Sequence, residues 1–155
     1  MLKLSYTTKM PGASFSLPAG FTCTSLCTVP CYAKKGFYRM PAAKGLREEN
    51  YETVLELLAI GKGALAKELV RLIDEDRSSY FRIHDSGDFF LPEYVDEWTQ
   101  VGKEMPYVRF WAPTKAWVLP DILPRLREFN RLPNVTIRPS GLGDVPFNTV
   151  TYLRH

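Results

Sequence analysis

Leu2, Leu4 and Tyr6 alternate with Lys3, Ser5 and Thr7, the period of two that a half-buried strand requires, so a short strand is expected over residues 1–8. Pro11-Gly12-Ala13-Ser14 and Leu17-Pro18-Ala19-Gly20 then crowd turn residues together, which predicts irregular backbone from about Lys9 onward. At Pro41 the period changes. Leu46, Val54, Leu57 and Leu58 recur at helical spacing with Arg47, Glu48, Glu49 and Glu56 between them, predicting a helix to about Ile60. Gly61 and Gly63 interrupt, and Leu65, Leu69, Leu72 and Ile73 form the apolar stripe of a second helix ending near Asp76. Both sets of leucines are expected in the core.

Tyr80-Phe81-Arg82-Ile83-His84 reads as a buried strand that stops at Asp85-Ser86-Gly87-Asp88. Pro92 opens a third helix at the position where a missing amide is harmless, Tyr94, Val95, Trp98 and Val101 form its inner stripe, and Pro106 closes it. Tyr107 to Trp111 is the next strand, a helix beginning at Pro120 carries Ile122, Leu123, Leu126 and Phe129, and Val135 to Arg138 is the last strand before a coil-like tail from Gly141 with a candidate edge strand at 149–153. This order predicts an α/β fold: a half barrel or a small open parallel sheet of about four strands, with outer helices and an N-terminal cysteine loop. A complete eight-stranded barrel takes about 250 residues, more than the 155 here. With 45% hydrophobic and 24% charged residues, one domain over 1–155 is expected.

Charge changes this picture little. A net charge of +3 is too mild to argue for nucleic acid by itself, although Lys34, Lys35, Arg39, Lys44 and Arg47 make a local basic run, either a solvated face or an anion contact. No run of about twenty apolar residues occurs, so no membrane span is expected.

The candidate chemistry gathers on Cys23, Cys27 and Cys31, which are all three cysteines of the chain. Pro30 disfavours helix at Val29, so the segment reads as a loop, and a loop can curl three sulfurs around one metal centre. The bland alternative is three small buried hydrophobes. Zinc would need a second ligand pair that the sequence lacks. Three thiolates on a four-iron, four-sulfide cluster leave one iron for another ligand, and His84 is the candidate among the side chains. His84 reads first as a core histidine satisfied by hydrogen bonds; as a ligand or acid–base group it has Asp85 beside it to fix its tautomer. Because ligands of parallel α/β sheets collect at the carboxyl ends of strands, His84 to Asp88, Thr114-Lys115 and Arg138-Pro139-Ser140 are expected at one edge with the cysteines. Gly87 permits close backbone approach and Asp88 could accept from an amino group, so Ser86, Gly87, Asp88 and Arg138 are the candidate cofactor-binding residues; the alternative for 85–88 is an Asp-Gly turn. Arg82, Arg109 and Arg138 sit at similar places in successive strands, either converging on a shared anionic ligand or standing as separate surface charges. Trp98, Trp111 and Trp117 read as packing groups.

The tight three-cysteine loop with an aromatic beside its last cysteine resembles that of the radical S-adenosylmethionine enzymes, although here the intervals are three and three and Tyr32 follows the last cysteine. More of the chain is similar to a bacteriophage family known as gene-product-eighty-eight-like. That likeness lies in the combination of Cys31-Tyr32-Ala33-Lys34-Lys35-Gly36, Phe81 to Phe89, Arg109-Phe110-Trp111-Ala112-Pro113-Thr114, Lys3-Leu4-Ser5 and Thr136 to Ser140. The resemblance implies a viral iron–sulfur protein and brings no settled activity; with no signal peptide read in the sequence, the reducing host cytoplasm is the expected compartment. The expected function is electron transfer with a host or viral redox partner. The alternatives are a radical S-adenosylmethionine-type enzyme, with the cofactor on the open iron near Ser86-Gly87-Asp88, and a zinc-stabilised module binding nucleic acid.

Overall fold

Residues 1–6, 12–19 and 40–140 are described by the computed structural model. In them four helices, α1 Pro41–Ile60, α2 Ala64–Asp76, α3 Pro92–Glu104 and α4 Leu123–Asn130, accompany five strands, β1 Ser5–Tyr6, β2 Ala13–Phe15, β3 Tyr80–Ile83, β4 Arg109–Thr114 and β5 Val135–Pro139. The strands form one sheet in the order β1-β2-β3-β4-β5. Neighbours from β2 to β5 run parallel, while β1 pairs antiparallel with β2.

The N-terminal pair departs from the sequence expectation of one strand followed by irregular chain, and from an all-parallel sheet of about four strands. The first parallel strand is β2, inside the segment expected to be irregular. Its alternation of Ala13, Phe15 and Leu17 with Ser14 and Ser16 is hidden by the flanking glycines and prolines. Gly12, at φ +83, makes the pairing possible: a Cβ there would lie 2.6 Å from the Tyr80 carbonyl oxygen. Tyr6, expected to face inward with Leu2 and Leu4, is exposed and donates its hydroxyl to Asp76.

The later elements follow their periods, with shifted ends. β4 starts at Arg109 and runs through Pro113, which is tolerated because pairing with β3 has already ended at Arg82–Trp111 while β5 continues alongside to Pro139. A 3-10 turn at Ala116–Val118 precedes α4, whose first residue is Leu123 rather than Pro120. α1 differs most in its packing. Only Val54 of its expected apolar stripe is fully buried, and the other buried positions are Arg47 and Asn50.

Phe15, Phe81, Ile83, Phe110, Ala112, Val135 and Ile137 point to the helical side of the sheet. Trp98 of α3 packs edge-on against Phe15 at 5.8 Å and Phe110 at 6.4 Å, and tilted over Phe81 at 6.0 Å. The helices pack in series, α1 on α2, α2 on α3 and α3 on α4. Glu97 of α3 ties two of them together by accepting hydrogen bonds from the Gly63 and Ala66 amides at the N-terminus of α2. The opposite face of the sheet carries Arg82, Trp111, Thr136 and Arg138, all half-buried. Cys23, Cys27 and Cys31, with Lys34, Lys35, Arg39 and the candidate strand at 149–153, lie outside the described residues.

Candidate functional site

The carboxyl edge of β2, β3 and β4 concentrates the buried polar groups. The β2–β3 ladder runs on past the strand ends, with the His84 amide donating to the Phe15 carbonyl at 2.9 Å and the Leu17 amide donating to the Ser86 carbonyl at 2.9 Å. His84 itself adopts φ +70, uncommon for a side chain of its size, and Gly87 adopts φ +84. Two positive φ values in four residues turn the chain back over the sheet edge, so His84, Asp85, Ser86 and Asp88 are all buried.

Each of these side chains has a different fate. Asp85 accepts a hydrogen bond from the Ser16 hydroxyl, which in turn lies 2.9 Å from the Ser5 hydroxyl. Burial pushes the Asp85 carboxyl up, opposed by that hydroxyl and by the charges of Arg82 and Arg47. Asn50 secures the same corner from α1. Its amide nitrogen donates to the carbonyls of Lys3 at 2.9 Å and Ser16 at 3.0 Å, and its oxygen accepts from the Lys3 amide at 2.8 Å. Asp88 accepts from the Thr114 hydroxyl at 2.5 Å and from the amides of Phe89 at 2.8 Å and Lys115 at 2.9 Å. The carboxylate thus braces the turn after β3 to the end of β4. Burial pushes its pKa up to about 6, with these donors pulling it back.

Among the described residues His84 is hydrogen-bonded on one side only. Its Nε2 lies 2.6 Å from the Tyr94 hydroxyl, and its ring stacks on Tyr94 and meets Phe89 edge-on. Burial, and then the Arg82 charge, push its pKa down to about 3, so the imidazole is neutral at pH 7. Among the described residues, neither the Nδ1 atom nor the Ser86 hydroxyl, both buried, has a hydrogen-bond partner. Since buried polar groups are nearly always paired, two orphans in neighbouring residues mark this turn as the place to look for a ligand.

Of the residues singled out from the sequence, His84, Ser86, Gly87, Asp88 and Thr114 come together here. Arg138 lies on the outer face instead, its guanidinium 5.7 Å from the Trp111 ring centre. Arg82 approaches the same ring at 5.0 Å, whereas Arg109 lies over Tyr80, so the three arginines do not share one place. Trp98 packs in the core; Trp111 is a platform for cations rather than a core group; Trp117 donates to the Ser140 carbonyl at 2.8 Å. Sequence reasoning missed Ser16, Asn50 and the Tyr94 hydroxyl. The signal for Asn50 was its place between Arg47 and Val54 at steps of three and four, a polar stripe on a helix face. Among the described residues no three His, Cys, Asp or Glu side chains gather closely enough to hold a metal ion.

A protein-family model described as Gene product 88 matches residues 2–150. The chain belongs to this phage family. Among gene product 88 relatives, the Gene 88 protein of Mycobacterium phage L5 is 36% identical over 112 residues, 66% of this chain and 47% of its own length. That of Mycobacterium phage D29 is 33% identical over the same shares. The chain therefore spans about half the length of the curated relatives it matches. No solved structure matches the chain. The family match takes in the three cysteines as well as the turn at 84–88. Among the described residues no helix is long and apolar enough to cross a membrane.

Proposed function

We propose that this gene product 88 protein is an iron–sulfur redox protein, in which Cys23, Cys27 and Cys31 hold a four-iron, four-sulfide cluster at the carboxyl edge of the sheet. One observation carries the reading. The three thiols follow β2 in the chain, and β2 delivers the chain, through the Leu17–Ser86 bond, to the edge where His84 Nδ1 and the Ser86 hydroxyl are buried with no partner among the described residues. Cys23 is six residues past Leu17, so extended chain alone limits it to about 20 Å from that edge. His84, neutral and with one ring nitrogen that has no partner among the described residues, has the protonation state a ligand needs for the iron that three cysteines leave open. The cluster would supply one-electron chemistry, passed to a host or phage partner in the reducing cytoplasm.

A second reading, a radical S-adenosylmethionine-type enzyme on a truncated barrel, has its own support. Strands β2 to β5 are parallel and in sequence order, as in part of a barrel wall, and the Ser86 hydroxyl beside Gly87 is a free group for a cofactor. Against it, both Asp88 oxygens already accept bonds from the protein, leaving the amine of the cofactor a poor counterpart.

Anaerobic purification with iron, sulfide and zinc analysis and electron paramagnetic resonance tests the proposal. Iron and acid-labile sulfide that disappear when any of the three cysteines is replaced by Ala are expected. One zinc and no sulfide would instead favour the zinc-stabilised nucleic-acid module. Cysteine-dependent cleavage of S-adenosylmethionine to 5′-deoxyadenosine would move the assignment to the enzyme.

A further inference from the structure

Two arginines share one indole on the outer face of the sheet. Arg82 and Trp111 are register partners on β3 and β4, and Trp111 faces Thr136 on β5, with Arg138 two residues farther on. Their guanidinium carbons lie 5.0 and 5.7 Å from the ring centre. An aromatic face attracts each cation, but bringing two cations to one ring also sets them against each other. Arg82 is held within the protein: its Nε donates to the His84 carbonyl at 3.2 Å, its charge acts on Asp85, and it makes a further contact. Arg138 differs. It is half-buried, its contact is with Trp111, and among the described residues its side chain takes part in no ion pair or hydrogen bond. A half-buried guanidinium of this kind has five donors to offer a ligand.

We propose that Arg138 and Arg82, spread and oriented by Trp111, form a binding site for a phosphate group. Phosphate fits better than a carboxylate because its several oxygens can meet two separate guanidinium forks at once, and because a phosphate monoester carries more charge to set against two cations. The site lies towards the carboxyl ends of parallel strands, where such ligands collect, and the Thr136 hydroxyl opposite Trp111 adds a small donor. It does not depend on the cysteines or on the cluster reading above.

Calorimetric titration of the 155-residue chain at constant ionic strength tests this, with inorganic phosphate, a nucleoside monophosphate and a short single-stranded oligonucleotide as separate probes. Tryptophan fluorescence is followed in parallel, because drawing guanidiniums from the Trp111 ring alters its emission. Saturable binding of at least one phosphate probe is expected. Arg138→Gln should weaken it at least about tenfold, the loss of a charge-assisted pair. Arg138→Lys should fall between, and Trp111→Leu should weaken binding and abolish the fluorescence response. Arg109→Gln, which removes an equal charge over Tyr80 at the other end of β4, should leave affinity unchanged. Preference for the monophosphate assigns a small ligand; preference for the oligonucleotide, still dependent on Arg138, assigns a nucleic-acid backbone. No saturable response to any phosphate probe, or a response equally weakened by Arg109→Gln and Arg138→Gln, would overturn the proposal. Circular dichroism of each variant separates loss of binding from loss of fold.

Discussion

Acidification should act on this protein through two buried groups of opposite sign, His84 and Asp88. The His84 imidazole has its pKa lowered from 6.5 to about 3 by burial. A depressed pKa means that the unfolded chain takes up a proton below pH 6.5 that the folded chain refuses. His84 therefore contributes stability above pH 6.5 that is lost progressively towards pH 3, at about 1.4 kcal/mol per pH unit. Asp88 behaves the other way. Its pKa is raised from 3.8 to about 6, so the folded chain takes the proton first. The stability linked to it is fully present below pH 3.8 and is lost as pH rises through 6. Between pH 6 and pH 4.5 the two slopes run against each other, each worth about 2 kcal/mol over that window. His84→Asn keeps a residue that tolerates positive φ but removes the titration, and Asp88→Asn removes the other.

Urea unfolding of the three metal-free proteins from pH 6.5 to 4.5 reads the effect as differences from the parent, so that Asp85 and the surface carboxylates cancel. Relative to the parent, His84→Asn should gain stability on acidification and Asp88→Asn should lose it. The two variants should diverge by about 4–5 kcal/mol over the range. Three parallel curves would refute the reasoning, because then neither group would differ in protonation between folded and unfolded chain.

Other substitutions probe the scaffold of the site. Asn50→Ala strips three hydrogen bonds from a buried corner and leaves the Lys3 and Ser16 backbone groups unpaired; a loss of about 2–4 kcal/mol is expected in urea unfolding. Gly12→Ala places a Cβ at φ +83 against the Tyr80 carbonyl oxygen, which should cost about 2 kcal/mol or more and loosen β2 from β3; unchanged hydrogen exchange at the His84 amide would contradict this. Glu97→Ala leaves the first amides of α2 without their acceptor, and should lower stability by about 1–2 kcal/mol with faster exchange at Gly63 and Ala66.

What the sequence determined by itself was mostly local and periodic. The stripe Tyr94, Val95, Trp98 and Val101 marked α3 as an inward-facing helix, and Pro92 marked its start, because a 3.6-residue apolar period and a proline at the first turn have few other meanings. The strand, helix, strand succession from Tyr80 onward likewise carried the α/β class and the gathering of 84–88 with Thr114 at one edge. Tertiary structure decided the rest. Whether Ala13 to Phe15 forms a strand depended on a partner nearly seventy positions away and on Gly12 clearing the Tyr80 carbonyl, neither of which has a local signature. Arg47 and Asn50 sit on the buried side of α1 because Lys3, Ser16 and the Asp85 corner supply polar groups there, so the apolar-stripe rule failed where the neighbour was not apolar. The sequence could name Asp88 and Arg138 as polar groups near strand ends. It could not tell that one would be consumed as a brace between β3 and β4 while the other stood over Trp111 with no acid among the described residues, since that depends on which groups non-local packing brings within hydrogen-bonding reach.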